Sequence, residues 1–154
     1  METCFRIIHK RAASTAFSGE GARRFGGRWN NKGTKMIYAA GSLALAAMEV
    51  LVHLDSADVL GEQFCYFKME IPAGLCIALD KSILHKAWDQ DPPTVQTKQI
   101  GDDWVRSGAS AVIAVPSSII KSETNFLLNP SHPDFARITI GSQERFAFDP
   151  RLVK

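Results

Sequence analysis

The chain has 154 residues, of which 45% are apolar and 22% charged, with a net charge of +2. That length sustains one core without a covalent staple, and the balance excludes a disordered tail or a fibrous repeat as the main content. So small a net charge gives no argument for nucleic acid or an anionic membrane as the partner. Cys4, Cys65 and Cys76 are odd in number and widely spaced, which reads as small core residues in a reducing compartment rather than a disulfide framework. The four histidines are scattered and no CxxC pair occurs, so no metal is expected. METCFRIIHKR lacks a long apolar stretch, and no run reaches membrane-spanning length, so the expected location is the cytoplasm.

In chain order, 4-CFRIIH-9 predicts a short strand. The segment 18-SGEGARRFGGRWNNKG-33 holds five of the chain's 11 glycines and reads as a structured loop anchored by Phe25 and Trp29. A strand follows at 35-KMIYAA-40, and Ser42 is a good N-cap for a helix over 42-SLALAAMEVLVHL-54. Strands are predicted at 64-FCYFKMEIP-72 and 75-LCIALD-80, and a helix over 95-VQTKQIGDDWVRS-107 ending at Gly108. The near-continuous apolar run 110-SAVIAVPS-117 predicts a strand buried on both faces, with Ser117 at its end just past Pro116. Residues 123-ETNFLLNPSHPDF-135 read as an ordered loop, and 137-RITI-140 and 145-RFAFD-149 as two last strands. This order favours a single α+β domain over 1–154 with mainly antiparallel sheet.

One residue is out of place in this pattern. Apart from His53, Glu49 is the only acidic or basic residue between Lys35 and Asp55, and Leu45, Val52 and His53 share its helical face. A carboxylate on such a face is partly desolvated, a condition more common in working carboxylates than in packing ones. An ion pair with His53 or with an arginine of the loop is the structural alternative. Arg28, Tyr38 and Ser117 have similar everyday explanations: a surface ion pair, a core aromatic and a turn former after proline.

The blocks 18-SGEGARRFGGRWNNKG-33, 37-IYAAGSLALAAMEVLVHLD-55, 115-VPSS-118 and 125-NFLLNPSHPDF-135 closely resemble the RES-domain toxins of bacterial toxin–antitoxin pairs, named for an arginine, a glutamate and a serine. The resemblance spans almost the whole chain. It implies a fold like that of the ADP-ribosyltransferases and the diphtheria-toxin catalytic domain, and an activity that consumes NAD+ as a substrate, with no tightly bound cofactor. On the family pattern the arginine falls on Arg28, the tyrosine on Tyr38, the glutamate on Glu49 and the serine on Ser117, with Ser118 one residue away.

In that reading Arg28 clamps the pyrophosphate through its planar fork of donors, and Tyr38 walls the nicotinamide ring. Glu49 stabilises the oxocarbenium-like ribose, and Ser117 hydrogen-bonds the ligand. Trp29 and Asn30, beside Arg28, complete the expected NAD+-binding set. The resemblance also implies an Xre-like helix-turn-helix antitoxin as partner and a toxin homodimer within the complex, with no direct DNA contact by this chain.

Two other readings stay open: a protein-targeted ADP-ribosyltransferase using NAD+, and a non-enzymatic module that binds single-stranded nucleic acid through Arg23, Arg24, Arg28, Phe25 and Trp29.

Overall fold

In a computed structural model describing residues 1–61 and 63–153, strand β1 (Glu2–His9) is the spine. It pairs antiparallel along its whole length with β3 (Phe64–Ile71), from Glu2 opposite Ile71 to His9 opposite Phe64. On its other edge β1 meets β2 (Ile37–Ala40) at the one registered pair Phe5–Ala40. The remaining strands are β4 (Cys76–Ala78), β5 (Val112–Pro116), β6 (Thr124–Leu128), β7 (Thr139–Ile140) and β8 (Glu144–Phe146). The eight-stranded sheet runs β4-β5-β6-β2-β1-β3-β7, with β8 also on β3. Only β4 and β5 pair in parallel; the other pairings are antiparallel.

Alternation along the strands splits the apolar residues between two faces. One face carries Cys4, Ile37, Ala39, Cys65, Met69, Val112, Phe126 and Leu128, packed against Phe17 and Phe135. The other carries Ile7 and Ala40 beneath helix α2 (Leu43–Leu51), and Ile113, Val115 and Leu127 beneath Trp29 and Trp104. Residues on this second face, two apart along each strand, include Tyr38, Asn125 and Ser117.

Two short helices stand where loops were expected or no element was assigned: α1 (Glu20–Phe25) lies inside the glycine-rich segment, and α3 (Ser56–Gly61) follows α2. The larger correction is β6. Residues 124–128, read from sequence as loop, lie between β5 and β2 in the middle of the sheet. Among its neighbours' apolar runs, TNFLL is short and opens on two polar residues, which hid its strand character.

Helix caps follow the sequence. Ser42 Oγ accepts from the Leu45 amide at 3.0 Å, and Thr94 Oγ1 accepts from the Thr97 amide at the start of α4 (Val95–Ser107). Gly108 ends α4 at φ 64°, the left-handed conformation that favours glycine. Within α4, Gly101 lies against the Trp29 carbonyl so closely that a Cβ there would overlap it.

Replacing Gly101 with alanine therefore prises α4 from the loop beneath it; the expected loss, read by denaturant unfolding, is about 1–3 kcal/mol from overpacking. Alkali tests the core independently. Burial pushes the Cys4 thiol up to about 12 and Cys76 to about 11 from an ordinary 9.0, and raises Cys65 and the Tyr38 hydroxyl. These groups keep their protons in the folded state while the unfolded chain gives them up, so the stability they contribute is full below about pH 9 and is lost as pH rises toward 12. Arg6, pushed down to about 10 by burial, opposes this as one group against four. Thermal midpoints measured across that range should fall steadily.

Candidate functional site

Glu49 sits half-buried on α2, above the sheet face that carries Asn125 and Ser117. Its Oε1 accepts two hydrogen bonds, from Asn125 Nδ2 at 2.7 Å and from Ser117 Oγ at 3.0 Å. No ion pair or hydrogen bond joins it to His53 or to an arginine among the described residues, so the structural ion pair considered from sequence is not formed. The β5–β6 pairing creates this arrangement. Val115 faces Asn125 in register, Pro116 ends β5, and the Ser117 amide donates to the Glu123 carbonyl at 3.0 Å.

Ser117, rather than Ser118, bonds the carboxylate, as strand alternation requires of one and denies the other. Its side chain is fully buried: the residue is 0% exposed. Besides donating to Glu49, Ser117 Oγ accepts from the Ile119 and Ile120 amides, each at 3.1 Å. One donor and two acceptor positions are all a hydroxyl has. In this arrangement the Ser117 hydroxyl, expected from sequence to bond a ligand, is engaged with Glu49 and the following turn.

The loop before β2 is equally closed. Tyr38 donates its hydroxyl proton to Asn30 Oδ1 at 2.6 Å and accepts from the Trp29 amide at 3.0 Å. Asn30 Nδ2 donates to the carbonyls of Ala22, Asn31 and Thr34 at 2.8, 3.0 and 3.2 Å. Trp29 and Asn30, expected from sequence to contact NAD+, are 2% and 0% exposed and shape the loop from inside it. Gly27 is required beside them, since a Cβ there would stand 2.6 Å from the Tyr38 hydroxyl. Helix α4 fastens the loop through three more bonds: Thr97 Oγ1 to the Arg28 carbonyl at 2.7 Å, Lys98 Nζ to the Gly27 carbonyl at 2.8 Å, and Asn31 Nδ2 to Asp102 at 2.8 Å.

Arg28 projects from this scaffold toward the segment before α4. Its Nη1 donates to the carbonyls of Trp88 and Gln90 at 3.0 and 2.9 Å. The neighbouring Asp89 carboxyl is held below the usual carboxylate range, first by its 2.6 Å bond to Lys121 and then by nearby positive charge that includes Arg28. Lys121 belongs to the turn that also holds Ser117, so the Arg28 loop, the Asp89 segment and the β5–β6 turn converge at one end of the sheet.

A second arginine went unnoticed in the sequence. Arg6, on β1, donates from Nε to the Ala16 carbonyl at 2.8 Å and from Nη1 to the Tyr38 carbonyl at 2.9 Å. It lies where β1 and β2 share only the Phe5–Ala40 pair, and no carboxylate pairs with it among the described residues. Burial pushes its guanidinium down to about 10, which still leaves it charged near neutrality. The signal was present: like Glu49, Arg6 is a lone charge in an apolar run, 4-CFRIIH-9. Among the described residues no group of histidine, cysteine, aspartate or glutamate side chains is placed to hold a metal ion, and no helix is long and apolar enough to cross a membrane.

Comparison with known proteins places this geometry in a family. The chain is 39% identical over 149 residues to Toxin Res of Yersinia enterocolitica, covering 96% of this chain and 97% of that one. It is 35% identical over 140 residues to the Prs ADP-ribosylating toxin of a Sphingobium species, covering 89% and 86%. It is 45% identical over 116 residues to the NAD(+) phosphorylase MbcT of Mycobacterium tuberculosis, covering 72% and 59%. The crystal structure of the M. tuberculosis MbcT–MbcA toxin–antitoxin complex contains a chain of the same fold, with a TM-score of 0.77 at 20% identity, covering 98% of this chain and 86% of that one. The RES domain model matches residues 3–149, and the chain belongs to the RES domain family.

Proposed function

We propose that this chain is the toxin of a toxin–antitoxin pair, and that it consumes NAD+ by cleaving the bond between nicotinamide and ribose. The observation that carries the reading is the state of Glu49: a half-buried carboxylate held on one oxygen by two neutral donors, with no cation paired to it among the described residues. Such a group has no partner cation to displace and is placed to face a positive charge that develops beside it. Cleavage of an N-glycosidic bond produces one. The C–N electron pair leaves with the ring as neutral nicotinamide, and the ribose passes through an oxocarbenium-like state. Oε1 being engaged, Oε2 is the oxygen that faces the ribose and its hydroxyls.

Arg6 and Arg28 are the cations suited to the pyrophosphate, because each retains guanidinium donors beyond those given to backbone carbonyls. Tyr38 contributes its ring as a wall; its hydroxyl is committed to the loop. The acceptor oxygen forms the new bond to the ribose carbon: an ionised phosphate oxygen does so directly, whereas water releases a proton to solvent. Relatives named as an NAD(+) phosphorylase and as an ADP-ribosylating toxin support NAD+ as the substrate, and they differ in the acceptor. We favour a small acceptor, giving loss of cellular NAD+ and growth arrest, with transfer to a protein as the second reading. The nucleic-acid reading is weakened by the burial of Trp29, which leaves the exposed Phe25, under Arg24, as the stacking surface of that loop.

An Xre-like helix-turn-helix antitoxin as partner, a toxin homodimer in the complex, a cytoplasmic setting and a single domain over the whole chain complete the proposal. They rest on the family and on the antitoxin present in the structural neighbour.

The experiment is to incubate antitoxin-free protein with NAD+, with and without inorganic phosphate, and to follow nicotinamide and the ADP-ribosyl product by chromatography. Glu49→Gln should lower kcat by ~10²–10³-fold with little change in KM, as expected for electrostatic stabilisation confined to the transition state. Nicotinamide release that is indifferent to this substitution would remove Glu49 from the chemistry. Arg6→Lys, in the same assay, should raise KM by ~10-fold or more, because an ammonium cannot keep both carbonyl bonds and still present a planar fork. An unchanged KM would return Arg6 to a purely structural role.

A further inference from the structure

Asn125 is the remaining polar partner of Glu49, and nothing in the sequence reading assigned it a part. Two asparagines on this side of the molecule make an instructive contrast. Asn30 has every capacity used: its amide group donates to three carbonyls and its oxygen accepts from Tyr38. That is an asparagine kept for the fold. Asn125 turns its amide group to Glu49 at 2.7 Å, while its Oδ1 is buried and has no hydrogen-bond partner among the described residues. Leaving a buried acceptor unpaired costs free energy, so the orientation is set by what the amide donates to.

Position strengthens the point. Ala40 on β2 and Val115 on β5 flank Asn125 in register, so it stands in the row of the sheet directly under α2. Tyr38 faces Leu127, one row further along the same face, which makes Tyr38 the diagonal neighbour of Asn125. Asn125 thus lies between the tyrosine and the carboxylate, on a central strand rather than on a loop. Of the two donors to Oε1, Ser117 is held at the end of β5 by the turn that follows, and Asn125 by the β6 ladder on both sides. Together they fix both the position and the rotation of the carboxylate.

We propose that Asn125 is a positioning residue for the NAD+-cleaving reaction: its Nδ2 holds Oε1 of Glu49 so that Oε2 is presented to the ribose. This rests on the reading of the site as one that cleaves NAD+. Asn125 itself does not contact the reacting atoms.

Two substitutions test it in the nicotinamide-release assay. Asn125→Leu removes the donor at similar volume, and kcat should fall by ~10²-fold with KM within about threefold of wild type, the expected effect of a misplaced catalytic group. Asn125→Asp sets a second carboxylate against Glu49. Its kcat should be low at about pH 8 and recover, relative to wild type, as pH falls toward about 5, when a shared proton restores a donor to Oε1.

Wild-type kcat in Asn125→Leu, a loss in Asn125→Asp that is the same at every pH, or losses that merely follow the unfolded fraction seen in thermal melts would each overturn the proposal. If wild-type protein itself leaves NAD+ intact, the functional reading fails. The positioning is then decided by NMR of the Asn125 side-chain amide protons. Their displacement in Glu49→Ala supports the bond as the orienting contact, and resonances that do not move refute it.

Discussion

A carboxylate pressed against an apolar sheet face must be given donors, and how this protein supplies them governs much of its architecture. Asn125 and Ser117 come from β6 and β5, two adjacent antiparallel strands whose register sets Asn125 opposite Val115, with Ser117 just past Pro116. A one-residue slip in that register would turn Asn125 to the opposite face and leave Glu49 with half its hydrogen bonds. The constraint extends to α2. Ser42 caps the helix at its first turn, and Leu45 and Ala46 seat it on Ile7 and Ala40, which sets the height and rotation of Glu49 over the sheet.

The opposite wall obeys a different logic. The loop over residues 26–34 has little regular structure, so its shape is imposed by side chains: Asn30 from within, Tyr38 from β2, and Thr97, Lys98 and Asp102 from α4. Close approach makes this possible. Gly101 lets α4 touch the Trp29 carbonyl, and Gly27 leaves room for the Tyr38 hydroxyl. These glycines serve contact rather than unusual dihedral angles, since the positive φ values in this loop belong to Gly26 and Gly33. Rigidity of this kind suits a surface that must hold Arg28 in a fixed place while its outer donors remain available.

Much of this was legible in the sequence, and the limits have physical causes. The Ser42 cap, the end of α4 at Gly108 and the strand end at Pro116 are local signals, settled by a few neighbouring residues. Glu49 was legible because a lone charge in an apolar helix violates its surroundings. Arg6 violated its strand in the same way, but strand alternation does not reveal whether a side chain meets solvent, a neighbour or a gap in the ladder. That depended on β1 and β2 sharing one pair, a tertiary fact. Asn125 was hidden twice over, in a segment read as loop and as a residue type whose ordinary place is a turn. Trp29 and Asn30 show the converse: adjacency to Arg28 in sequence says nothing about which way a neighbour points, and both side chains turn into the loop.

Glu49, Arg6 and Arg28 share one property that no single contact displays. Glu49 is fixed by a hydroxyl and an amide, Arg6 by two backbone carbonyls, and Arg28 by two more. Each is thus oriented by neutral partners instead of by one another. Had the carboxylate been paired with either guanidinium, the same stability would have come at the loss of both charges, and a ligand would have had to break the pair to use them. Fixed by dipoles, an anion and two cations persist in one fold without neutralising one another. A substrate that carries an anionic pyrophosphate and develops a cationic ribose needs both signs, held apart and already oriented, before the reaction begins.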